Sequence, residues 1–233
     1  MPKTITKEVT LYTFKELVDL EKFGTLTRAC EKARQWLQEG QTDHDWWEHT
    51  YATWKSALDQ IGFKDADISF SGFWSQGDGA SFTCKSVDME QLIGFLLSDA
   101  QPNKVISYDG KTEDFRGWIL HKVGGKPEAD AKFDKLIGKV YAEVTRISRQ
   151  YSHHNTCDFG LNEDDSEFFE STANQKLANE LGVLCERLRV DTCHAIYKDL
   201  EEEYEWLTKD EQLIETAEAN DYTFNENGEM ETE

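Results

Sequence analysis

The chain has 233 residues, 38% hydrophobic and 12% aromatic, enough to bury a core without disulfide or metal staples. Its 46 acidic against 25 basic side chains give a net charge of −21. That balance argues against nucleic-acid binding as the default, because phosphate contacts need concentrated Lys and Arg, and it equally disfavours an anionic membrane surface. A field of this sign suits a basic partner, or solubility alone.

Five cysteines (Cys30, Cys84, Cys157, Cys185 and Cys193) stand without close pairing. MPKTITKEVTLY has no apolar stretch of signal-peptide length, and no segment approaches the roughly 18 apolar residues of a membrane helix. A reducing cytoplasm is the expected setting.

In chain order, Thr13 and Glu16 form a capping box, followed by helical spacing through Leu17, Leu26, Ala29, Ala33 and Trp36 or Leu37. Gly24 is a candidate interruption there and Gly40 a candidate stop. Trp47, Tyr51, Trp54, Leu58 and Ile61 make an amphipathic stripe that Gly62 ends, an aromatic face suited to a core. The period drops to two at Ile68–Phe70 and again at Ala80–Cys84, with turn residues between, which predicts an antiparallel hairpin. Met89 to Leu97 reads as a short helix.

Short strands are expected at Lys104 to Tyr108 and Phe115 to His121, a helical turn or short helix at Ala131 to Leu136, and a hairpin of Val140 to Ile147 with Tyr151 to Phe159. Beyond Phe169 the spacing predicts one long helix, or two divided near Gly182 or Thr192. Thr208 to Glu211 repeats the capping-box pattern before a further helix.

The fold class is α+β: an antiparallel sheet with packed helices and a long helical, acidic C-terminal portion. One domain is expected over 1–224, with a possible subdivision near 160 and a flexible acidic tail at 225–233.

The most distinctive segment is Ser69 to Phe82, where Gly77 and Gly79 flank Asp78, with Trp74 and Gln76 before them. These residues are a candidate structural or ligand loop, because glycine permits positive φ and Asp bonds nearby amides. No phosphate-loop motif and no EF-hand spacing occurs there. ISFSGFWSQGDGASF resembles the signature of a family of uncharacterised bacteriophage and prophage proteins, some labelled as toxin–antitoxin related. LYTFKEL, the Trp46 to Trp54 helix, EYEWLTKDEQ and ANDYTF carry the resemblance over most of the chain. It implies phage origin and a role in the host cytoplasm during infection, and brings no catalytic mechanism.

Tyr151 to Cys157 is a second cluster. In a strand His153 and His154 would face opposite ways, though His154 and Cys157, with Cys84 or His121, can be imagined around a zinc ion. Cys157 is alternatively a nucleophile with His153 or His154 as base and Asp158 or Asn155 orienting it, and an ordinary buried cysteine is the plainer reading.

The 35 residues from Asp199 hold 14 acidic side chains and one basic, Lys209; a smaller acidic segment runs from Asp158 to Glu170. Glu201, Glu202, Glu205, Asp210, Glu211, Glu215 and Glu218 are the candidate protein-binding surface, spaced to present repeated charge along helix faces. The leading expectation is a non-enzymatic phage accessory protein without cofactor. It binds and inhibits a host nuclease, defence protein or DNA-binding protein with a basic surface, as an acidic DNA mimic. No direct nucleic-acid or membrane contact is expected. The alternative is a small-ligand, zinc-binding or hydrolytic protein using the 72–79 turn and the 151–157 strand; a solvated acidic face without a partner is the plainest reading of the charge.

Overall fold

A computed structural model describes residues 9–99, 115–125 and 128–231. In chain order the elements are β1 (Tyr12–Thr13), α1 (Phe14–Glu21), α2 (Thr27–Thr42), α3 (Glu48–Gln60), β2 (Phe63–Lys64), β3 (Asp67–Phe70), β4 (Ala80–Val87) and α4 (Met89–Leu97). There follow α5 (Arg116–Lys122), β5 (Val140–Arg146), β6 (Cys157–Glu163), α6 (Thr172–Thr208), α7 (Asp210–Ala219), β7 (Thr223–Phe224) and β8 (Met230–Glu231). The α+β class expected from the sequence holds. Contacts divide the chain at 47/48 and 201/202 rather than near 160, so one unit is built from both ends of the chain and the other from its middle.

In the unit of chain ends, α1 starts at the expected capping box. The Glu16 amide donates to Thr13 Oγ1 at 3.2 Å and the Thr13 amide to Glu16 Oε2 at 2.8 Å, satisfying two N–H groups that no helical turn can. Gly24, at φ +73°, turns the chain into α2, which continues past Gly40 to Thr42. Phe14, Leu17 and Val18 pack with Ala29, Cys30, Ala33, Leu37, Leu213, Ala217 and Phe224 as one core. Arg34 spans its edge, pairing with Glu21 at 2.6 Å and Asp210 at 2.7 Å.

Two local expectations change in this unit. Thr208 Oγ1 donates to the Tyr204 carbonyl, and α7 begins without a side-chain cap, because the hydroxyl is used inside the preceding helix. Residues 225–231, expected to be mobile, form a turn: Asn225 Oδ1 accepts from the amides of Asn227 (2.9 Å) and Glu229 (3.1 Å), and β8 pairs with β7. Gly228 (φ +72°) closes it, where a Cβ would lie 2.2 Å from the Ala29 carbonyl oxygen. A buried polar side chain thus supplies the ordering that apolar area does not.

In the middle unit, β4 is central: β2, β3 and β5 pair with it antiparallel, and β6 continues from β5. The predicted hairpin has Ile68 opposite Phe82 and Phe70 opposite Ala80. The α3 stripe buries Trp54, Leu58 and Ile61, with Trp54 against Trp118 at 4.6 Å. Phe63 meets Phe82 and Phe159 edge-on at 5.2 and 6.4 Å.

Phe115 to His121, expected as a strand, is instead helix α5 with Gly117 through Leu120 all buried. Residues buried on consecutive positions fit a packed helix as well as a strand, and only tertiary contacts decide. Ala131–Leu136 is the expected helical turn, of 3₁₀ type. Gly182 and Thr192 do not divide α6, which runs unbroken for 37 residues. The strand expected at Lys104 to Tyr108 lies outside the described residues.

Candidate functional site

The turn between β3 and β4 is built from its own backbone outward. The Ser71 amide donates to the Gly79 carbonyl (3.1 Å), the Asp78 amide to the Ser75 carbonyl (3.1 Å) and the Ser75 amide to Asp78 Oδ2 (2.6 Å). The Asp78 carboxylate lies within about 3.5 Å of where a Cβ on Gly72 would stand. Between these anchors Trp74 is held at φ +69°, a conformation disfavoured for any residue with a side chain, and its ring is 71% exposed. Trp74 is thus an exposed side chain on a strained backbone, its ring tilted against Phe73 at 5.5 Å.

The structure brings this turn onto the second sequence cluster. Ser71 Oγ donates to the Ser152 carbonyl and accepts from its amide, at 3.3 and 3.2 Å. The Tyr151 ring covers Gly77, and the His153 ring lies against Gly79, where an added Cβ would come within 2.7 Å of Cδ2. Gly77 is therefore required by close approach and by its positive φ of 96°, and Gly79 by close approach alone. Gln76 is exposed at the tip.

Residues 153–156 are not the expected strand. Thr156 Oγ1 donates to the His153 carbonyl and His153 Nδ1 accepts from the Asn155 amide, closing a 3₁₀ turn over His154–Thr156. In a turn neighbouring side chains no longer alternate, so the rings of His153 and His154 stack with centroids 3.9 Å apart. From α6, His194 Nε2 reaches His154 Nδ1 at 2.9 Å. Burial, reinforced by the like charge that His153, His194 and Arg189 would oppose to it, pushes the His154 pKa down to about 4. Burial, then His194, lowers His153 as well. These two imidazoles are neutral at pH 7.

Beneath them lies Arg189, buried on α6. It donates through Nε to Glu186 at 2.7 Å and through Nη1 to the His154 carbonyl at 3.0 Å, while Glu186 also accepts from the Phe159 amide. Tyr197, one turn beyond His194, packs against Phe73 at 5.4 Å. Its phenol is raised by burial first and then by the negative charges of Glu201 and Asp78.

Sequence reasoning missed His194, Tyr197 and the Glu186–Arg189 pair. The available signal was an arginine at Arg189, on the buried stripe of Cys185, Leu188, Thr192 and Ile196, where a charge persists only if paired.

Cys157 is buried and makes no hydrogen bond to either imidazole, so the thiol–imidazole contact that nucleophilic catalysis needs is missing. Among the described residues no three His, Cys, Asp or Glu side chains are grouped to hold a metal ion, which leaves the zinc set of His154, Cys157 and Cys84 or His121 unassembled. Burial pushes the thiols of Cys30, Cys185 and Cys193 up to about 12 and that of Cys84 to about 11.

The acidic residues separate by role. Asp210 is occupied by Arg34, and Glu201 is half-buried in the middle unit near Tyr197. Glu202 and Glu205 are exposed at the end of α6. Glu211, Glu215 and Glu218, at i, i+4 and i+7, form one exposed face of α7 opposite buried Leu213 and Ala217. Within the segment from Asp158 to Glu170, Asp165 is paired with Lys139 at 2.6 Å.

Fold and site together define an α+β protein in which a glycine-pinned turn, an imidazole cluster and a long helix converge. A family model described as a domain of unknown function (DUF8835) matches residues 46–210, and the chain belongs to that family. The matched span contains the whole convergence and ends as α7 begins. Its description mentions neither phage origin nor a toxin–antitoxin relation. No curated protein and no solved structure matches the chain. Among the described residues no helix is long and apolar enough to cross a membrane.

Proposed function

We propose that the chain is a phage accessory protein that works by binding rather than catalysis, inhibiting a host nuclease, defence protein or DNA-binding protein in the host cytoplasm. The observation behind the reading is the α7 face. Glu211, Glu215 and Glu218 are exposed on one side of an ordered helix, and none is paired with a cation among the described residues. From Glu211 to Glu218 the helix rises about 10 Å, over which one strand of a DNA duplex places about three phosphates. Three carboxylates over that length match the linear charge of one strand, so a basic cleft shaped for DNA gains charge complementarity from them, weakened by salt.

The test is affinity of the full chain for a panel of nucleases, defence complexes and DNA-binding proteins from a bacterial host. A true partner binds more weakly as salt rises, and Glu205→Gln, Glu211→Gln and Glu215→Gln together reduce its affinity at least tenfold. Binding indifferent to both salt and these substitutions would refute the mimicry.

A second reading rests on a different observation, the turn stitched to the 151–154 segment at Ser71, Gly77 and Gly79, with Trp74 exposed on the same turn. It supports small-ligand recognition by aromatic rings and neutral imidazoles. Small-molecule thermal-shift screening of the full chain addresses it: a hit lost in Trp74→Ala and His154→Gln supports a ligand site, and a hit that persists in both excludes this one.

A further inference from the structure

The same unit that carries the α7 face also holds a groove of about 660 Å³. It lies between the first turn of α1, the last turn of α7 and the β7–β8 hairpin, and its floor is apolar, with Ile214, Tyr222 and Met230 half-buried over Phe14. Its volume falls in the range that accommodates a small organic group or one or two side chains.

The charge around it is lopsided. Glu218, Asp221 and Glu231 line it, and Lys15 is the one cation among the lining residues. Neither Glu218 nor Asp221 pairs with a cation among the described residues, whereas Glu231 accepts from Asn225 at 2.8 Å. The groove also receives the C-terminal end of α7, the negative pole of that helix, and the last turn of α7 contains no basic residue. Helix ends of this sign favour Lys or Arg nearby, and here the chain supplies none from α7 itself. An apolar floor with a half-buried tyrosine and a carboxylate rim suits a long side chain with an aliphatic stem and a cationic head.

We propose that this groove is the anchor site for an arginine side chain, flanked by an apolar neighbour, that projects from the basic surface of a partner protein. Arginine fits better than lysine because its planar guanidinium stacks on an aromatic ring while donating to two carboxylates. The inference rests on the acidic face being a protein interface, since Glu218 belongs to both: the face steers a basic partner and the groove seats one of its side chains.

The experiment titrates the full chain with a capped hexapeptide, Gly-Leu-Arg-Leu-Arg-Gly, and with the same peptide carrying citrulline for arginine. The arginine peptide should bind at least tenfold more tightly than the citrulline peptide, with amide shifts confined to 13–15, 214–223 and 230–231. Asp221→Asn with Glu218→Gln should raise its Kd at least tenfold. Asn tolerates the positive φ of 54° at position 221, and an unchanged melting curve verifies the fold of the variant. Glu90→Gln, an exposed carboxylate on α4 in the other unit, should leave the peptide Kd within twofold.

Equal affinity for the two peptides, or indifference to the rim variant, overturns the groove assignment. The acidic-face reading then survives if a host protein still responds to Glu211→Gln and Glu215→Gln. Rim-dependent peptide binding with no host protein responding to those face variants has the opposite meaning: the groove stands and the mimicry falls.

Discussion

The turn at 71–79 and the outer face of α7 present opposite kinds of surface. The turn is defined by contact: its glycines face the rings of Tyr151 and His153, its serine bonds to Ser152, and the neighbouring His153 and His154 are held neutral. The α7 face is defined by charge, three exposed carboxylates with no cation among the described residues holding them. The first region specifies shape and depends on the fold around it. The second specifies a potential and depends on its helix alone. Mutations should therefore separate them, with stability lost at one and binding lost at the other.

The largest effect is expected beneath the first region. Arg189→Met removes the only cation that Glu186 pairs with among the described residues, and takes a donor from the His154 carbonyl, at a site where the arginine is 1% exposed. Breaking a fully buried pair from one side costs about 3–5 kcal/mol, and because Glu186 keeps 35% of its side chain exposed, where water can solvate it, the low end of about 3 kcal/mol applies. Chemical denaturation should register it, together with loss of the His154–His194 contact in imidazole NMR spectra. A cost below about 1 kcal/mol would show that Arg189 does not organise the cluster.

Next is Gly79→Ala. The new methyl would stand 2.7 Å from His153 Cδ2 and 3.2 Å from its Cα, so the ring cannot escape by rotation alone. Overpacking of this kind costs about 1–3 kcal/mol, read as a lower denaturation midpoint. Gly40→Ala, where nothing lies within 4 Å of the added Cβ, serves as the comparison and should be neutral or stabilising.

These contrasts also explain what the sequence allows one to read. The capping box at Thr13, the α3 stripe and the hairpin around 71–79 are legible because each is a local pattern whose partners are close in sequence. The helix α5 is not, since Trp118 is placed by Trp54, more than sixty positions away. The ordered end of the chain is missed for a similar reason: acidic composition hides an Asn225 that gathers its own turn, and Gly228 needs Ala29 to show its purpose. Of the candidate site, the turn is visible in the sequence. Its junction with Tyr151, Ser152 and His153, and the arrival of His194, are tertiary facts. The α7 carboxylates are legible as a spacing, but the loss of Asp210 to Arg34 is not.

A smaller effect follows from the neutral imidazoles. Because the pKa of His154 is lowered to about 4 in the folded protein from 6.5, the unfolded chain binds more protons between those values. Stability should therefore fall as pH drops from about 6.5 toward 4, above the range in which most carboxylates titrate. His154→Gln should flatten that slope without abolishing it, since His153 is shifted in the same direction. Denaturation midpoints at pH 7.5 and 5.0 decide the matter: an equal pH dependence in wild type and variant would mean that His154 is protonated as easily in the fold as outside it.

The smallest structural effect belongs to the α7 face. Glu211→Gln and Glu215→Gln alter exposed side chains opposite the buried Leu213 and Ala217, and Gln has nearly the helix propensity of Glu. Glu211 lies in the first turn, where negative charge favours the helix, so its loss costs a few tenths of a kcal/mol; relief of the like-charge i, i+4 pair returns a similar amount. The net change should be within about 0.5 kcal/mol by denaturation. A loss several times larger would mean that these carboxylates stabilise the folded chain through contacts of their own, and any weakening of partner binding in the same variant would then report unfolding rather than the removal of a negative face.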